Sequence, residues 1–440
     1  MIKYPSDGLL LVTVSVGAIL FWQLPHFTAA YNNIAFVIAY AFSLLVIITP
    51  VWIAEIGIGV LSKQTIIGSF RFLSGSNRFF ILAILSMLSL FLLLMIVINR
   101  LSIESIDQLY SSYWYFHNAE KVNALLADFP MLAIITTIVM FSVMYVVQRL
   151  RYFIVVVRVI AGVGLFLVLL VFLLMAVTQQ GAVDAIVLFL SPNFNLMTSF
   201  ALWHDAIMLA LLSGVIGLGI NIFTGYKLAN GVLLAKLNIY FVLGNIVVVI
   251  LISLLSTIYD ALGSNELLGS GFFIFNALYL GSFFCCGVVS GLVIYHIFPI
   301  SLGFYKHRFK QWFNLGFLSI MVISSIAYSL GVANHIDQIN IAFLWFYLVL
   351  IVAYIETLLL GWVFGAQKIS YQLSKLGIIK PRVWPIIVLR IIAPTAILST
   401  LIYEIAFVYF VIDFGIHFMI IVVSFLITII LGSILHRRFR

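Results

Sequence analysis

The sequence predicts an all-α membrane protein that crosses the bilayer many times. Of its 440 residues, 65% are hydrophobic and 8% are charged, and the mean hydropathy is +1.25. Soluble domains carry about 25% charged residues, so this composition excludes a globular enzyme with a membrane anchor. The apolar segments reach roughly 20 residues or more, the length of a spanning helix, whereas strands of an outer-membrane barrel alternate over about ten residues.

Twelve apolar segments follow one another with short loops and no soluble domain between them. We place them at about 8–30, 34–61, 79–101, 130–148, 152–176, 201–226, 232–259, 275–304, 312–331, 340–366, 385–406 and 414–436. The first segment has no small-residue cleavage site before Pro25, so we expect no cleaved signal peptide. Cys285 and Cys286 are adjacent in an apolar run and indicate neither a disulfide framework nor a metal site.

The basic residues predict how these spans are oriented. With the N-terminus in the cytoplasm, 18 of the 22 lysines and arginines lie in or beside inner loops, and such a bias orients membrane proteins with their positive loops inside. We therefore expect both termini in the cytoplasm and the chain in the plasma membrane, which is the inner membrane in a bacterium. The net charge of +8 then faces anionic lipid rather than nucleic acid.

Spans one and six carry helix-breaking residues near their centres. Gly17 interrupts span one, and Gly214, Gly217 and Gly219 lie within six residues of span six. Small residues also allow close helix packing, but three at one depth, five spans after the first interrupted helix, favour a break. Interrupted helices in corresponding positions of two halves are typical of inverted-repeat transporters, whose site lies at the membrane midplane.

Several short motifs follow in a fixed order along nearly the whole chain. They are Trp22-Gln23-Leu24-Pro25; Pro50, Glu55 and Gly59; Asn77-Arg78-Phe79; Phe189 to Phe194 with Trp203; Gly217 and Gly219; Glu356 before Trp362-Val363-Phe364-Gly365 and Lys368; Gly377-Ile378-Ile379-Lys380; and Arg390 with Pro394. Each motif alone is weak. In this order and spacing the chain resembles the neurotransmitter:sodium symporter family, with the leucine transporter among its bacterial members, as a divergent member.

That resemblance implies a single transporter domain over residues 1–440, built from two inverted five-helix repeats and two peripheral helices. The repeats cover about 8–176 and 201–366, and the peripheral helices cover about 385–436. In the family, spans one and six are unwound at their centres. Their freed N–H groups attract an anionic group of the solute, and their freed carbonyls hold Na⁺, a cation that prefers oxygen ligands as other hard cations do.

The family resemblance also implies which residues form the site. The solute lies among mostly apolar residues of spans one, three, six and eight, namely Val14, Ser15, Ala18, Ile19, Leu94, Ile98, Leu212, Ser213, Val215, Leu218 and His296. A first sodium site uses Ser15, Ser213 and Asn238, although Asn238 could equally form an interhelical hydrogen bond. The structural and gate positions are Gly17, Gln23, Glu55, Gly217, Gly219 and Glu356, with the span-two carboxylate bracing the unwound part of span six. No organic cofactor is implied.

The chain departs from the family pattern at several of these positions. Leu20 stands where a span-one asparagine binds sodium, and Ile98 stands where a tyrosine bonds a substrate carboxylate. The span-eight hydroxyls of a second sodium site fall near 291–293, which leaves Ser290 close but out of register. Gln23 replaces the arginine of the outer gate, and the partner aspartate is also missing near 340–341. We therefore expect an amide-to-amide or open gate.

Histidines and one further acid add polar groups within the spans. A histidine at membrane depth is a candidate for function, and His296 is a candidate proton carrier or, alternatively, a neutral packing residue. His204 and Asp205 open span six near the outer surface, and we interpret Asp205 as a helix cap.

The leading functional hypothesis is a secondary active transporter of an amino acid or related small amine or organic solute. It predicts sodium-coupled symport by alternating access, with proton coupling through His296 as a variant. A transport-inactive homologue, acting as a solute sensor or subunit, is the alternative because sodium ligands and gate charges are missing. An enzyme is not expected, since no nucleophile–base pair, paired carboxylates or phosphate-binding loop is visible in the sequence.

Overall fold

The computed structural model of the chain describes most of the predicted bundle. It covers residues 4, 7–74, 79–114, 130–150, 152–179, 181–229, 233–262, 270–302, 339–376, 383–409 and 414–439, with isolated positions 316, 319, 320 and 323. Predicted span nine (312–331) lies outside the described residues apart from those four positions. The motif residues 77–78 and 377–380 also lie outside them.

Helices correspond to the other eleven predicted spans, which confirms an all-α polytopic membrane protein. In chain order they are Gly8–Tyr31, Ile34–Ser62, Phe80–Trp114, Pro130–Arg149, Phe153–Thr178, Phe200–Ser213 with Ile220–Tyr226, Leu234–Leu262, Ser270–Ser301, Ile339–Leu358 with Leu359–Val363, Pro385–Ala406 and Phe414–Phe439. Within the described residues, nine helices are long and apolar enough to cross a membrane. Three shorter helices, Ile66–Ser74, Ala182–Leu190 and Ala366–Lys375, were not predicted.

Span one lies at the centre of the bundle and spans five and twelve lie at its rim. In the most apolar stretch of span one 89% of the residues are buried, against 28% in span five and 22% in span twelve. Large apolar side chains remain exposed on the rim helices, Phe166 and Phe418 among them, as expected for surfaces that contact lipid. Among the nine long helices of the described residues, span one, which carries several candidate site residues, is therefore the most enclosed.

The centres of spans one and six are interrupted in different ways. Span one widens into a π-helical turn over Val16–Leu20 and continues as an α-helix from Phe21. Span six stops at Ser213 and resumes at Ile220. Single π-helical turns inside α-helices occur frequently at functional sites. The turn in span one is therefore a candidate site, as is the break in span six.

Close backbone contacts hold the interrupted helices against their neighbours. A Cβ atom on Gly17 would lie 2.1 Å from the carbonyl oxygen of Cys286 in span eight. A Cβ atom on Gly225 would lie 2.0 Å from the carbonyl oxygen of Ile56 in span two. Only glycine permits such approaches, so spans one and eight, and spans two and six, meet backbone to backbone.

Candidate functional site

The break in span six exposes a short irregular backbone inside the bundle. Val215, Gly217 and Gly219 have φ angles of 50°, 77° and 72°. Glycine adopts this left-handed region freely, but a β-branched valine does so only at an energetic cost. All residues from Ser213 to Ile220 are buried. The segment therefore needs partners that hold it in place.

Glu55 and Asn221 supply those partners. One carboxylate oxygen of Glu55 accepts a hydrogen bond of 2.9 Å from the backbone N–H of Gly217. The other accepts 2.7 Å from the side-chain amide of Asn221, which also donates 2.9 Å to the carbonyl of Gly214. Glu55 is fully buried, so these bonds offset part of its desolvation. The structure thus places Glu55 where the resemblance implied, against the interrupted part of span six.

Glu356 of span ten brings a second carboxyl group to this place. It is fully buried, as Glu55 is, and the two side chains are close enough to interact electrostatically. Span ten also approaches the break through Ala353, whose backbone nitrogen lies 2.9 Å from where a Cβ of Gly217 would be. Spans two and ten therefore enclose the break from two sides.

Ten of the eleven predicted lining residues are buried around the two interruptions. They are Val14, Ser15, Ala18, Ile19, Leu94, Ile98, Leu212, Ser213, Val215 and Leu218, each exposed by 1% or less. His296 lies apart from them. Its Nδ1 atom is 3.4 Å from the amide of Gln148, and its ring packs on Phe153 and Phe223 at 5.3 and 6.3 Å. Those partners belong to span four, span five and the helix Ile220–Tyr226 of span six. They lie at the end of the bundle where the chain termini are.

Three buried oxygen atoms on or beside span one have no hydrogen-bond partner among the described residues. They are Oγ of Ser15, Oδ1 of Asn238 and Oδ1 of Asn245. Ser15 and Asn245 are fully buried, whereas Asn238 is partly exposed. The hydroxyl of Ser213 contacts the hydroxyl of Tyr40 at 2.9 Å and donates to the carbonyl of Ala210. An unpaired buried oxygen is costly, so Ser15 and Asn245 are candidates for binding a cation or a solute.

Asn245, rather than Asn238, lies at the level of Ser15. A Cβ on Gly8 would touch Leu237 and Tyr240, whereas a Cβ on Gly244 would touch Val12. Spans one and seven therefore run side by side, and Asn238 lies beside the start of span one. Seven residues separate the two asparagines, which is about 10 Å of helix. Sequence reasoning missed Asn245 because both asparagines occupy the same face of span seven.

Ser290 brings a hydroxyl group from span eight to span one. Its Oγ lies 2.9 Å from the carbonyl oxygens of Val14 and Cys286 and 3.5 Å from that of Thr13. The family resemblance puts Ser290 out of register, but the structure brings it to the carbonyls of span one. Three carbonyl oxygens and one hydroxyl thus converge beside the π-helical turn.

Asp205 has a different role from the one that its position suggested. The helix begins at Phe200 after Ser199, so Asp205 lies inside it and does not cap it. Its carboxylate instead accepts a hydrogen bond of 2.6 Å from the hydroxyl of Tyr31, at the end of span one. His204 stacks on Tyr403 of span eleven at 4.4 Å. These contacts join the first part of span six to span one and to a peripheral helix.

Asp7 and Arg158 form an ion pair that sequence reasoning did not predict. Oδ1 and Oδ2 of Asp7 lie 2.7 Å from Nε and Nη2 of Arg158, respectively. Asp7 is 4% exposed and Arg158 is 27% exposed. The pair fastens the beginning of span one to span five. Both residues lie at the beginning of their spans, on the side of the bundle where the chain termini lie. This shared depth is the only sequence signal that could have suggested the contact.

Comparisons with known proteins show the fold. No protein-family model and no curated protein matches this sequence. Among solved structures, the chain is similar to the crystal structure of MhsT in complex with L-phenylalanine. The TM-score is 0.70 at 17% sequence identity, covering 90% of this chain and 98% of the other. A likeness of this extent shows that the chain has the leucine-transporter-type fold that its sequence motifs implied.

Proposed function

We propose that this protein is a secondary active transporter that moves an apolar amino acid, or a related small organic solute, by alternating access. The observation that carries the proposal is the enclosed break of span six beside the π-helical turn of span one. That place combines freed backbone groups, unpaired buried oxygens and an apolar lining. A structure of the same fold holds L-phenylalanine, and we extend that solute class to this chain.

We further propose that Na⁺ drives the transport. Ser15 and Ser213 of the predicted sodium site are buried next to the interruptions, and the geometry favours Asn245 over Asn238 as the span-seven ligand. The carbonyls around Ser290 offer a second group of oxygens. These donors fit a hard cation, whose charge would favour a solute carboxylate close to it. We retain the two five-helix repeats and cytoplasmic termini as part of the proposal, on the strength of the basic-loop bias.

Two alternatives make different predictions. Proton coupling is supported by His296, which packs between spans four, five and six. A transport-inactive sensor or subunit is supported by Leu20 and Gln23, which replace a family sodium ligand and a gate charge. The first alternative predicts accumulation driven by a proton gradient, and the second predicts binding without accumulation.

Uptake into proteoliposomes tests the proposal. A panel of labelled amino acids and amines is offered under an inward Na⁺ gradient, and then under a proton gradient. We expect accumulation of an apolar amino acid under the Na⁺ gradient. Asn245→Ala should weaken the dependence on Na⁺, while Asn238→Ala, on the same helix face, should not. Saturable binding with no accumulation under either gradient would contradict the proposal.

A further inference from the structure

A pair of buried hydroxyl groups joins span two to the first half of span six. The hydroxyl of Tyr40 in span two lies 2.9 Å from Oγ of Ser213, and both residues are fully buried. Ser213 is the last residue of the helix Phe200–Ser213 and stands directly before the break. The contact therefore brings a span-two side chain to the residue at which the irregular backbone of the candidate site begins.

The hydrogen bonds around Ser213 determine which of the two hydroxyls is the donor. The Ser213 hydroxyl donates to the carbonyl of Ala210 at 3.1 Å, and the same carbonyl accepts the backbone N–H of Gly214 at 2.8 Å. A hydroxyl has a single proton to donate. Because the proton of Ser213 lies on the bond to Ala210, Tyr40 is the donor in the bond between the two side chains.

The reverse arrangement would leave a proton without an acceptor. If Ser213 donated to Tyr40, the tyrosine hydroxyl would have to donate elsewhere, and it makes no second hydrogen bond among the described residues. Buried tyrosine hydroxyls usually have a partner, and a buried donor without one is costly. Donation therefore runs from Tyr40 to Ser213 and from Ser213 to the Ala210 carbonyl.

This direction makes Ser213 an acceptor towards the site. A hydroxyl oxygen has two lone pairs and one proton. Tyr40 occupies one lone pair and the Ala210 carbonyl takes the proton, so one lone pair remains. Such an oxygen binds a cation and does not donate to a carboxylate. Its position agrees with this chemistry, since the C-terminal end of a half-helix attracts positive charge.

The other serine of the predicted sodium site is not held in this way. Oγ of Ser15 has no hydrogen-bond partner among the described residues, so its hydroxyl is able to turn and either donate or accept. Ser213 is restricted both in its rotamer and in the direction of its proton. A ligand that is ordered before the ion arrives loses less conformational freedom on binding.

We propose that Tyr40 is a positioning residue for cation binding, whose hydroxyl holds Ser213 with a lone pair directed towards Na⁺. The inference rests on the proposed sodium-coupled function, because it presupposes that Na⁺ binds at Ser213. It gives span two a second role at the site, besides the bracing of the break by Glu55. Without the Tyr40 hydroxyl, the Ser213 side chain would have to be ordered at each binding event.

Binding of radiolabelled Na⁺ to the purified full-length protein in nanodiscs tests this inference without requiring transport. Tyr40→Phe keeps the buried ring and removes only the hydroxyl, and we expect it to raise the half-saturating Na⁺ concentration about five-fold. Ser213→Ala removes the ligand itself and should raise that concentration about ten-fold. In the Ser213→Ala background, Tyr40→Phe should cause no further change, because the two hydroxyls act as one unit.

A control variant and a second measurement separate positioning from a general structural effect. Tyr354 of span ten is also a buried tyrosine, at 8% exposure, and in the described part of the chain it bonds to neither Ser15 nor Ser213. Tyr354→Phe should leave Na⁺ binding unchanged. Binding of labelled L-phenylalanine at saturating Na⁺ should be the same in Tyr40→Phe and in the wild type, since the hydroxyl acts through the ion.

Normal Na⁺ binding in Tyr40→Phe would overturn the inference and leave sodium-coupled transport standing with other ligands. This variant also decides the question if Ser213→Ala does not fold. Weaker L-phenylalanine binding with unchanged Na⁺ binding would overturn it too, because the Ser213 oxygen would then bind the ammonium group of the solute. An equal loss in Tyr354→Phe would overturn it as general loosening.

Two further outcomes separate this inference from the proposed function. A wild-type protein that binds no Na⁺ would overturn both. Na⁺ binding that depends on Tyr40, in a protein that accumulates no solute, would support the inference and contradict the transport function.

Discussion

At the scale of single residues, a few buried polar atoms either brace the break of span six or lack partners of their own. Glu55 satisfies the backbone N–H of Gly217 and the amide of Asn221, while Ser15 and Asn245 keep buried oxygens without partners among the described residues. The carboxylate of Glu55 holds a strained backbone, whereas the oxygens of Ser15 and Asn245 are the proposed ligands. Substitutions at the two kinds of residue should therefore have different consequences.

Glu55→Ala should destabilise the protein whatever solute it carries. The variant leaves the Gly217 N–H unpaired inside the bundle and removes one of the hydrogen bonds of the Asn221 amide, at a cost of about 1–3 kcal/mol for a buried group left without a partner. Thermal unfolding in detergent should show a clear loss of stability. Asp184→Ala removes an exposed carboxylate and should have little effect. Normal stability and uptake in Glu55→Ala would remove Glu55 from its bracing role.

At the scale of helices, close packing between spans one and eight positions the site. Gly17 allows the backbone of span one to touch that of span eight near Cys286, and this contact brings Ser290 to the carbonyls of Val14 and Thr13. The π-helical turn of span one lies in the same stretch. Separation of these two helices should therefore affect the site directly.

Gly17→Ala should disrupt the protein although alanine is the better helix former. Its Cβ would lie 2.1 Å from a backbone oxygen, so the two helices would have to move apart. Gly162→Ala in span five is the matched control, because no atom lies within 4 Å of its Cβ. That change should be neutral or stabilise by up to about 1 kcal/mol. Similar thermal stability in both variants would show that the contact at Gly17 is not restrictive.

The ion pair between spans one and five predicts a measurable coupling. Asp7→Asn and Arg158→Gln should each lower the free energy of unfolding, and the double variant should cost less than the sum of the two. Because Asp7 is nearly buried, we expect a coupling of about 1 kcal/mol or more, above the usual value for an exposed pair. A double-mutant cycle by thermal unfolding measures it. Strict additivity would mean that the two side chains do not stabilise one another.

At the scale of the whole molecule, most of the fold could be predicted from the sequence. Length and hydropathy predict helices at the eleven described spans, because the bilayer imposes one length on each. The glycines of span six predict its break, since backbone freedom is encoded locally. The short helices Ile66–Ser74 and Ala366–Lys375 were missed because they are not long enough to span a membrane.

The parts of the site that depend on distant contacts could not be predicted. Nothing near Asn238 or Asn245 indicates which one lies level with Ser15, because both are single amides in an apolar helix. Asp7 and Arg158 are 151 positions apart, so only the packing of span one on span five brings them together.

Accumulation of labelled L-phenylalanine in proteoliposomes is the measurement that tests the central claim most directly. With an inward Na⁺ gradient, we expect the internal concentration to exceed the external one, and to fall back when an ionophore collapses the gradient. The contrary result is binding without accumulation. If the purified protein binds L-phenylalanine or another apolar amino acid but never concentrates any of them against a gradient, sodium-coupled transport is contradicted.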